Sequence, residues 1–139
     1  MVRARLAVGS RPLLALTLAL ALLAVVVPAP RQAAAATITV RSINDSGGTC
    51  PGATCTLRQA IATAVAGDTI DFNLPNPSTI TLTTGELGIN KNLTITGPGL
   101  NKLTVSGNNA SRVFNITAGT VTISGLTISG ATPLPAAAL

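Results

Sequence analysis

Apolar and polar residues alternate along the second half of the chain. After residue 68 the apolar positions fall two apart in short clusters, which Gly, Asn and Pro residues separate. The clusters are Ile70 and Phe72, Ile80 and Leu82, Leu87 and Ile89, Leu93 and Ile95, Leu103 and Val105, Val113, Ile116, Val121 and Ile123, and Leu126 and Ile128. A period of two puts every second side chain on one face of an extended strand. The pattern predicts short, half-buried β-strands, and the stretch "TITVRS" at residues 37–42 predicts one more at the front.

One segment, residues 55–67, breaks this alternation. Its apolar side chains recur at three- and four-residue intervals, which is typical of the buried stripe of a helix. The stripe consists of Leu57, Ala60, Ile61, Ala64 and Val65. Thr56 and Gln59 match a capping box, in which each side chain satisfies a backbone N–H group at the helix start, and Gly67 is placed to end the helix. About three turns are not stable alone, so we expect the stripe to lie on a core.

The strand clusters also repeat. "LTVSG" at residues 103–107 recurs as "LTISG" at residues 126–130. "LTITG" at residues 93–97 is a third variant, and the offset from Leu93 to Ile116 equals the offset from Leu103 to Leu126. A repeat of about 20 to 25 residues with two or three strands is one coil of a β-solenoid. A β-sandwich also has many short strands, but it would not explain the shared offset.

The first coil of a solenoid exposes a sheet edge and the apolar end of its core. Such an edge is a template for unwanted pairing, and terminal repeats therefore need an atypical cap. We expect the helix to cover this end with Leu57, Ile61 and Val65 facing the core. A disulfide between Cys50 and Cys55 would hold the preceding loop, "NDSGGTCPGATC".

The front of the chain has the pattern of a secretory signal peptide. Basic residues precede an apolar run at residues 13–27, Pro28 interrupts it, and alanines at residues 33–36 offer cleavage positions. The run is shorter than the roughly 20 residues of a membrane-spanning helix, although an uncleaved N-terminal anchor is the alternative. We therefore divide the chain into a signal peptide (1–36), an N-terminal cap (37–68), β-helix coils (69–130) and a Pro/Ala-rich tail (131–139).

Charge and cysteine content limit the possible functions. Four of the nine basic residues lie in the leader, so the rest of the chain carries five basic and four acidic residues and a net charge of about +1. With Phe72 and Phe114 as its only aromatic residues, the chain has no basic and aromatic surface for nucleic acid. An exported chain with two cysteines is expected to pair Cys50 with Cys55 in an oxidising compartment.

The segment "CTLRQAI" resembles a motif of a known family. Its residues are Cys55, Thr56, Leu57, Arg58, Gln59, Ala60 and Ile61. The motif is similar to the Cys-Ser-Leu-Arg-Glu-Ala-Ile sequence of CSLREA-type exported bacterial proteins, and the likeness continues through "AGDTIDF" and "GELGINKNLTITGPG" to "LTVSGNNASRVFNI". Thr56 replaces Ser and Gln59 replaces Glu, and both keep the capping chemistry. The resemblance implies a right-handed parallel β-helix behind a signal peptide, at the cell surface or secreted. Most of the family has no assigned activity.

Few side chains could carry chemistry. Asp68 and Asp71 are the only close carboxylate pair, and on a β-helix such a pair could bind Ca²⁺ or act as acid and base. We interpret Asp68 instead as a turn residue and Asp71 as an outward side chain of a strand. Arg58 is expected to pair with one of these two acids or with free carbonyls. The chain has no His, so His-based nucleophilic and metal sites are absent; we expect no catalytic, metal or cofactor-binding residues.

Threonine is frequent at the outward positions of the predicted strands. The stretches "TITL", "LTIT" and "TVTIS" place Thr beside inward Ile and Val. Stacked coils would align these hydroxyls in flat ranks, as in ice-binding solenoids. The simpler interpretation is the ordinary preference of Thr for a solvated strand face.

These observations predict an all-β solenoid, a right-handed parallel β-helix of about two to three coils with an N-terminal capping helix. We expect it to be truncated at its C-terminus. The expected function is that of an exported, non-enzymatic module of surface, adhesive or scaffold type without a cofactor. The alternative is the N-terminal fragment of a carbohydrate-active β-helix enzyme of the polysaccharide lyase or hydrolase kind.

The same observations set expectations for partners. We expect a surface polysaccharide or a host or cell-surface ligand, together with edge-to-edge self-association. Nucleic acid and an integral membrane span are not expected.

Overall fold

The computed structural model describes residues 34–132. The predicted leader, apart from its last three residues, and residues 133–139 of the predicted tail lie outside this range. The described residues form one helix, α1 (Leu57–Thr63), and nine strands. The strands are β1 (Thr37–Val40), β2 (Thr69–Phe72), β3 (Ser78–Thr81), β4 (Leu87–Ile89), β5 (Leu93–Thr96), β6 (Leu103–Ser106), β7 (Phe114–Ile116), β8 (Val121–Ser124) and β9 (Thr127–Ser129).

The strands form three sheets in which every pairing is parallel. The first sheet has the order β1-β2-β5-β8, the second β3-β6-β9 and the third β4-β7. From β2 onward, successive strands therefore enter the first, second and third sheets in rotation. Each of the strands from β2 to β6 pairs with the strand three positions later in the chain. This arrangement of parallel strands with a single helix is compatible with a β-solenoid.

Side chains of one kind stand above one another because the strands pair in register. Ile38, Ile70, Ile95 and Ile123 form an apolar column of the first sheet. In the second sheet the corresponding column is Ile80, Val105 and Ile128. In each of these strands, a threonine directly precedes the residue of the apolar column and faces the opposite side of the sheet. Thr37, Thr69, Thr94 and Thr122 form one column, and Thr79, Thr104 and Thr127 form another. The threonine ranks expected from the sequence are thus in register.

The apolar columns meet in one core. Its buried side chains come from the inward positions of the strands and from one face of α1. They include Val40, Leu57, Ile70, Ile80, Leu87, Ile89, Ile95, Leu103 and Val105, all nearly or fully inaccessible to solvent. Helix α1 contacts β1 and β4, which are end strands of the first and third sheets.

The repeat predicted from the sequence is only partly right. "LTVSG" and "LTISG" do pair in the second sheet, because Thr104 stands beside Thr127 at the predicted offset. Leu93, however, pairs with Val121, further along the chain than the predicted Ile116, which pairs with Ile89 instead. "LTITG" therefore belongs to the first sheet and is not a third copy of the same strand. The constant offset was wrong because the connecting loops differ in length from one sheet to the next.

Candidate functional site

The disulfide loop ties the end of β1 to the start of α1. Cys50 and Cys55 form the predicted disulfide, with their Cα atoms 4.7 Å apart. Cys55 is fully buried. Its carbonyl accepts hydrogen bonds from the N–H groups of Arg41 at 2.9 Å and Ser42 at 3.0 Å. The bridge therefore fixes the residue that satisfies the backbone at the end of the first strand.

Thr56 begins the helix, as the sequence predicted, but the capping box forms only in part. The Thr56 hydroxyl accepts a hydrogen bond from the Gln59 N–H group at 3.2 Å and donates one to the carbonyl of Gly47 at 3.0 Å. The Gln59 side chain does not return to Thr56. It donates instead to the hydroxyl of Thr63, one turn further along the helix. Thr56 thus links the helix start to the loop that precedes it.

The buried face of α1 is shorter than predicted. Leu57, Ala60 and Ile61 are buried, as expected for a helix covering a core, and Ala64 is buried at the C-cap. Val65 was predicted to face the core, but it is 55% exposed. The helix ends at Thr63, so the backbone no longer carries Val65 onto the same face. Gly67 has a positive φ of 96°, but it follows the helix by several residues and does not cap it.

Arg58 pairs with Asp45. The prediction that it would pair with Asp68 or Asp71 was wrong. Its Nε and Nη2 atoms donate to Oδ1 of Asp45 at 2.9 and 2.7 Å. Its remaining hydrogen bonds go to the carbonyls of Glu86 at 2.9 Å and Gly85 at 2.6 Å, just before β4. The predicted contact with free carbonyls is therefore correct. Arg58 joins the helix both to the disulfide loop and to the third sheet.

Asp45 accepts more hydrogen bonds than any other side chain of the cap. It is buried, and its Oδ2 atom accepts hydrogen bonds from the backbone N–H groups of Thr83 and Thr84, both at 2.8 Å, and from both of their hydroxyls. Burial raises the pKa of Asp45, but the hydrogen bonds from Thr83, Thr84 and Arg58 outweigh this effect and lower the pKa from 3.8 to about 2. Asp45 is therefore an anion at neutral pH, and it holds three segments of the chain together.

Asp68 and Lys91 complete the connection at the other end of the helix. Asp68 is buried and accepts hydrogen bonds from the N–H groups of Ala36 at 2.8 Å and Val65 at 2.9 Å, and these bonds lower its pKa. The Val65 contact is the turn role predicted for Asp68. The Nζ atom of Lys91 donates to the carbonyls of Ile61 at 3.1 Å and Ala64 at 2.7 Å. A cation at this position also interacts favourably with the helix dipole.

Glu86 connects the cap to β7 and the residues before it. Arg112, before β7, donates to Oε2 of Glu86 at 2.7 Å, and Asn115, in β7, donates to Oε1 at the same distance. The hydrogen bond from Arg112 is the main reason why the pKa of Glu86 is lowered. Both members of this ion pair are about one third exposed, so its contribution to stability is much smaller than that of a buried pair.

The structure does not combine Asp68 and Asp71 into a calcium or acid–base site. Asp68 is occupied by two backbone N–H groups, whereas Asp71 lies in β2 between the inward Ile70 and Phe72. One carboxylate oxygen of Asp71 is buried without a hydrogen-bond partner in the described part of the chain. Within the same residues, no three His, Cys, Asp or Glu side chains gather where they could share a metal ion.

The residue that sequence reasoning missed is Asp45. It stands in a Gly-rich loop, where an acidic residue has ordinary local reasons to occur. Its partners Thr83 and Thr84 are far away in the sequence, and nothing in their local pattern points to it. The feature of the sequence that could have pointed to Asp45 was Arg58 of "CTLRQAI", because a partly buried arginine at the start of a helix needs an anionic partner.

The motif residues 55–61 therefore connect the disulfide loop and the helix to the ends of neighbouring strands. Most of their polar groups already have hydrogen-bond partners inside the protein. The described residues contain no helix that is long and apolar enough to cross a bilayer. Comparison of the chain with protein-family models, with curated proteins and with solved structures gave no match.

Proposed function

We propose that this chain is an exported, non-enzymatic binding or scaffold module, built on a right-handed parallel β-helix of the CSLREA type. The rotation of successive strands through three parallel sheets supports a β-helix. Crossovers between parallel strands are right-handed in about 98% of cases, which favours that hand. The Cys50–Cys55 disulfide suits an oxidising compartment, and the predicted signal peptide would deliver the chain to one.

The outward face of the first sheet carries this proposal. Its column of Thr37, Thr69, Thr94 and Thr122 is in register across four strands. None of these hydroxyls makes a side-chain hydrogen bond within residues 34–132, whereas the hydroxyls of Thr56, Thr83 and Thr84 are used as donors or acceptors. A neutral row of available hydroxyls can exchange hydrogen bonds with a ligand that is itself rich in hydroxyls. A surface polysaccharide has this chemistry, and we propose it as the ligand.

A retention assay on insoluble polysaccharides tests this function. The chain should be retained and should release no soluble sugar. Thr94→Glu places a long, charged side chain in the middle of the face and should reduce retention at least tenfold. Ala62→Glu, on the exposed side of α1, is the matched control and should bind as the unaltered chain does. Equal retention of the two variants would show that the threonine face is not the binding surface.

The second candidate is a carbohydrate-active β-helix enzyme, and Asp71 is the observation that favours it. This carboxylate lies on the outward side of β2, beside Thr39 in the register of the first sheet. One of its oxygens is buried without a protein partner among the described residues, and a carboxylate with an unused oxygen is a candidate for acid–base chemistry on a sugar that reaches it. If the chain releases soluble sugars, and if Asp71→Asn stops the release without reducing retention, the enzyme is the better assignment.

We also propose edge-to-edge self-association at the far end of the sheets. Strands β7, β8 and β9 each pair with a strand on one side only among the described residues. The side chains of Ile116 and Ile128, on β7 and β9, are about half exposed there. Unpaired strand edges beside apolar surface are a template for association. The mass measured by light scattering should therefore rise with protein concentration, and a constant monomer mass would contradict this part of the proposal.

A further inference from the structure

Strand β3, at the front of the second sheet, has a neighbour on one side only among the described strands. The N–H group of Ser78 donates to the carbonyl of Lys102 at 2.9 Å, and that of Leu82 donates to Ser106 at 2.8 Å. These bonds direct the backbone of Ser78, Ile80 and Leu82 towards β6. Because the backbone groups of successive residues in a strand point to opposite sides, the N–H and C=O groups of Thr79 and Thr81 point away from the sheet.

The outward edge of β3 is closed at one end and open along the rest. At the closed end, the N–H group of Thr83 donates to Asp45. The N–H and C=O groups of Thr79 and Thr81 make no hydrogen bond with any described residue outside the strand ladders. Asp45 therefore marks the end of the open part of the edge. Beside it, the N–H and C=O groups of Thr79 and Thr81, four backbone groups in all, are available for hydrogen bonding.

A groove runs along this open edge. It consists of two cavities of about 480 and 520 Å³. The first lies between the threonines of β3 and the segment 43–46, and the second extends past Ser78 to Arg41 and Leu74. Ile43 and Thr79 line both cavities, so the two lie next to each other. Ile43 is half exposed and gives the rim an apolar contact.

The chemistry of the groove indicates what it can hold. Alternating N–H and C=O groups at the repeat of a strand are complementary to the main chain of another extended polypeptide, which is the basis of strand addition. The charge at the two ends differs. Asp45 is already paired with Arg58, whereas Arg41 is exposed and forms no ion pair among the described residues. An acidic side chain at the Arg41 end would complement this charge.

We propose that the groove beside β3 binds an extended polypeptide segment as an added strand, with an acidic side chain of that segment next to Arg41. The segment pairs with the backbone of Thr79 and Thr81, and its apolar side chain contacts Ile43. This site is separate from the threonine face of the first sheet, so it does not depend on which ligand that face binds. The partner is a protein with an exposed, extended stretch.

Amide hydrogen exchange of the full chain, followed by NMR, tests the proposal with a defined probe. The probe is the peptide acetyl-Glu-Thr-Val-Thr-Val-Glu-amide, whose two acidic ends allow either strand direction. At saturation, exchange at the amides of Thr79 and Thr81 should slow at least tenfold. Exchange at Ile80, whose N–H group faces β6, should not change. No slowing at Thr79 and Thr81, or slowing only in β8 and β9, would overturn the proposal.

Two matched comparisons separate backbone pairing from side-chain contact. Two versions of the peptide carry N-methyl groups on the odd-numbered or on the even-numbered residues, and the version whose methyl groups face β3 should bind at least tenfold more weakly to the unaltered chain. In the protein, Thr81→Pro removes the outward N–H group and should weaken binding at least tenfold, whereas Thr81→Val keeps that group and should bind within twofold of the original. Equal binding of both methylated peptides and the unmethylated peptide would overturn the proposal even if Thr81→Pro did not fold.

The charge at the Arg41 end has its own measurement. Arg41→Gln should weaken binding of the peptide two- to fivefold at low salt, as expected for an exposed ion pair. The difference should shrink as salt screens the pair. An affinity that does not depend on Arg41 or on salt would remove the acidic residue from the proposed partner.

Discussion

Ile80 and Ile128 occupy the same column of the second sheet, yet Ile80 is fully buried and Ile128 is 50% exposed. The same contrast separates Ile89 from its partner Ile116 in the third sheet, which are 0% and 48% exposed. At the front of the stack, a helix, a disulfide loop and a buried ion pair cover the core side chains, although the backbone edge of β3 stays open, whereas no described element covers the core at the far end. The alternation of apolar and polar residues thus decides which side chains point inward. An inward side chain becomes fully buried only when other elements cover it on both sides along the stack.

The largest effect is expected when the covering layer itself is broken. Ile61→Asp puts a carboxylate against the core and should lower the free energy of unfolding by about 5 kcal/mol, since it loses apolar burial and leaves a polar group without a partner. Ala62→Asp, on the neighbouring exposed position of α1, should change it by less than about 1 kcal/mol. Urea denaturation of the two variants measures the difference. Similar midpoints would mean that α1 does not cover the core.

The second prediction compares the two ends directly. Ile80→Ala removes a fully buried side chain and should cost about 3 kcal/mol of unfolding free energy. Ile128→Ala, two strands further along the same column, should cost less than about 1 kcal/mol because its side chain is already half in water. Equal losses in thermal or urea unfolding would show that the far end is covered in solution. Association between copies would then be the first explanation to examine.

The third prediction concerns the ion pair of the cap. Arg58→Met leaves Asp45 buried without its cation and should cost about 3 kcal/mol. Arg112→Met removes the partner of the partly exposed Glu86 and should cost less than about 1 kcal/mol. Chemical denaturation at neutral pH measures both values. A small effect of Arg58→Met would mean that the hydrogen bonds from Thr83 and Thr84 are sufficient to stabilise the buried carboxylate of Asp45.

The smallest of the four effects appears in acid. Because the pKa of Asp45 is lowered to about 2 in the folded chain, its contribution is complete above its unfolded pKa of about 4 and is lost as the pH falls towards 2. The loss should be about 2 kcal/mol. Asp45→Asn should be less stable at neutral pH and should show a flatter dependence between pH 4 and pH 2. An unchanged slope in that variant would mean that other carboxyl groups control acid unfolding.

The sequence predicted those features that depend on neighbouring residues. The strands followed from alternation, the buried face of α1 from the spacing of Leu57 and Ile61, and the disulfide from two close cysteines. Val65 was misplaced because a helical stripe does not show where the helix stops. Here Ala64 leaves the helical conformation, with a ψ of 142°.

Features that depend on distant residues were not predictable in the same way. The pairing of Leu93 with Val121 depends on the number of residues in each loop, and glycine-rich loops accept many lengths. The partners of Asp45 and Arg58 come from the turn between β3 and β4, which no local pattern connects with the disulfide loop. The candidate site could therefore be located from the motif, but its contacts could not be assigned.

The contacts of Asp45 also have a consequence for the order in which the chain folds. Asp45 and Arg58 bind Thr83, Thr84, Gly85 and Glu86. As a chain emerges from its N-terminus, these bonds can form only after residue 86 has appeared. Until then, Asp45 lacks its partners Thr83 and Thr84, and α1 lacks β4, one of the two strands that it contacts. The front of the molecule is synthesised first, but it reaches its final form only when β2, β3 and β4 have followed, so closure of the front and formation of these three strands should be one kinetic event.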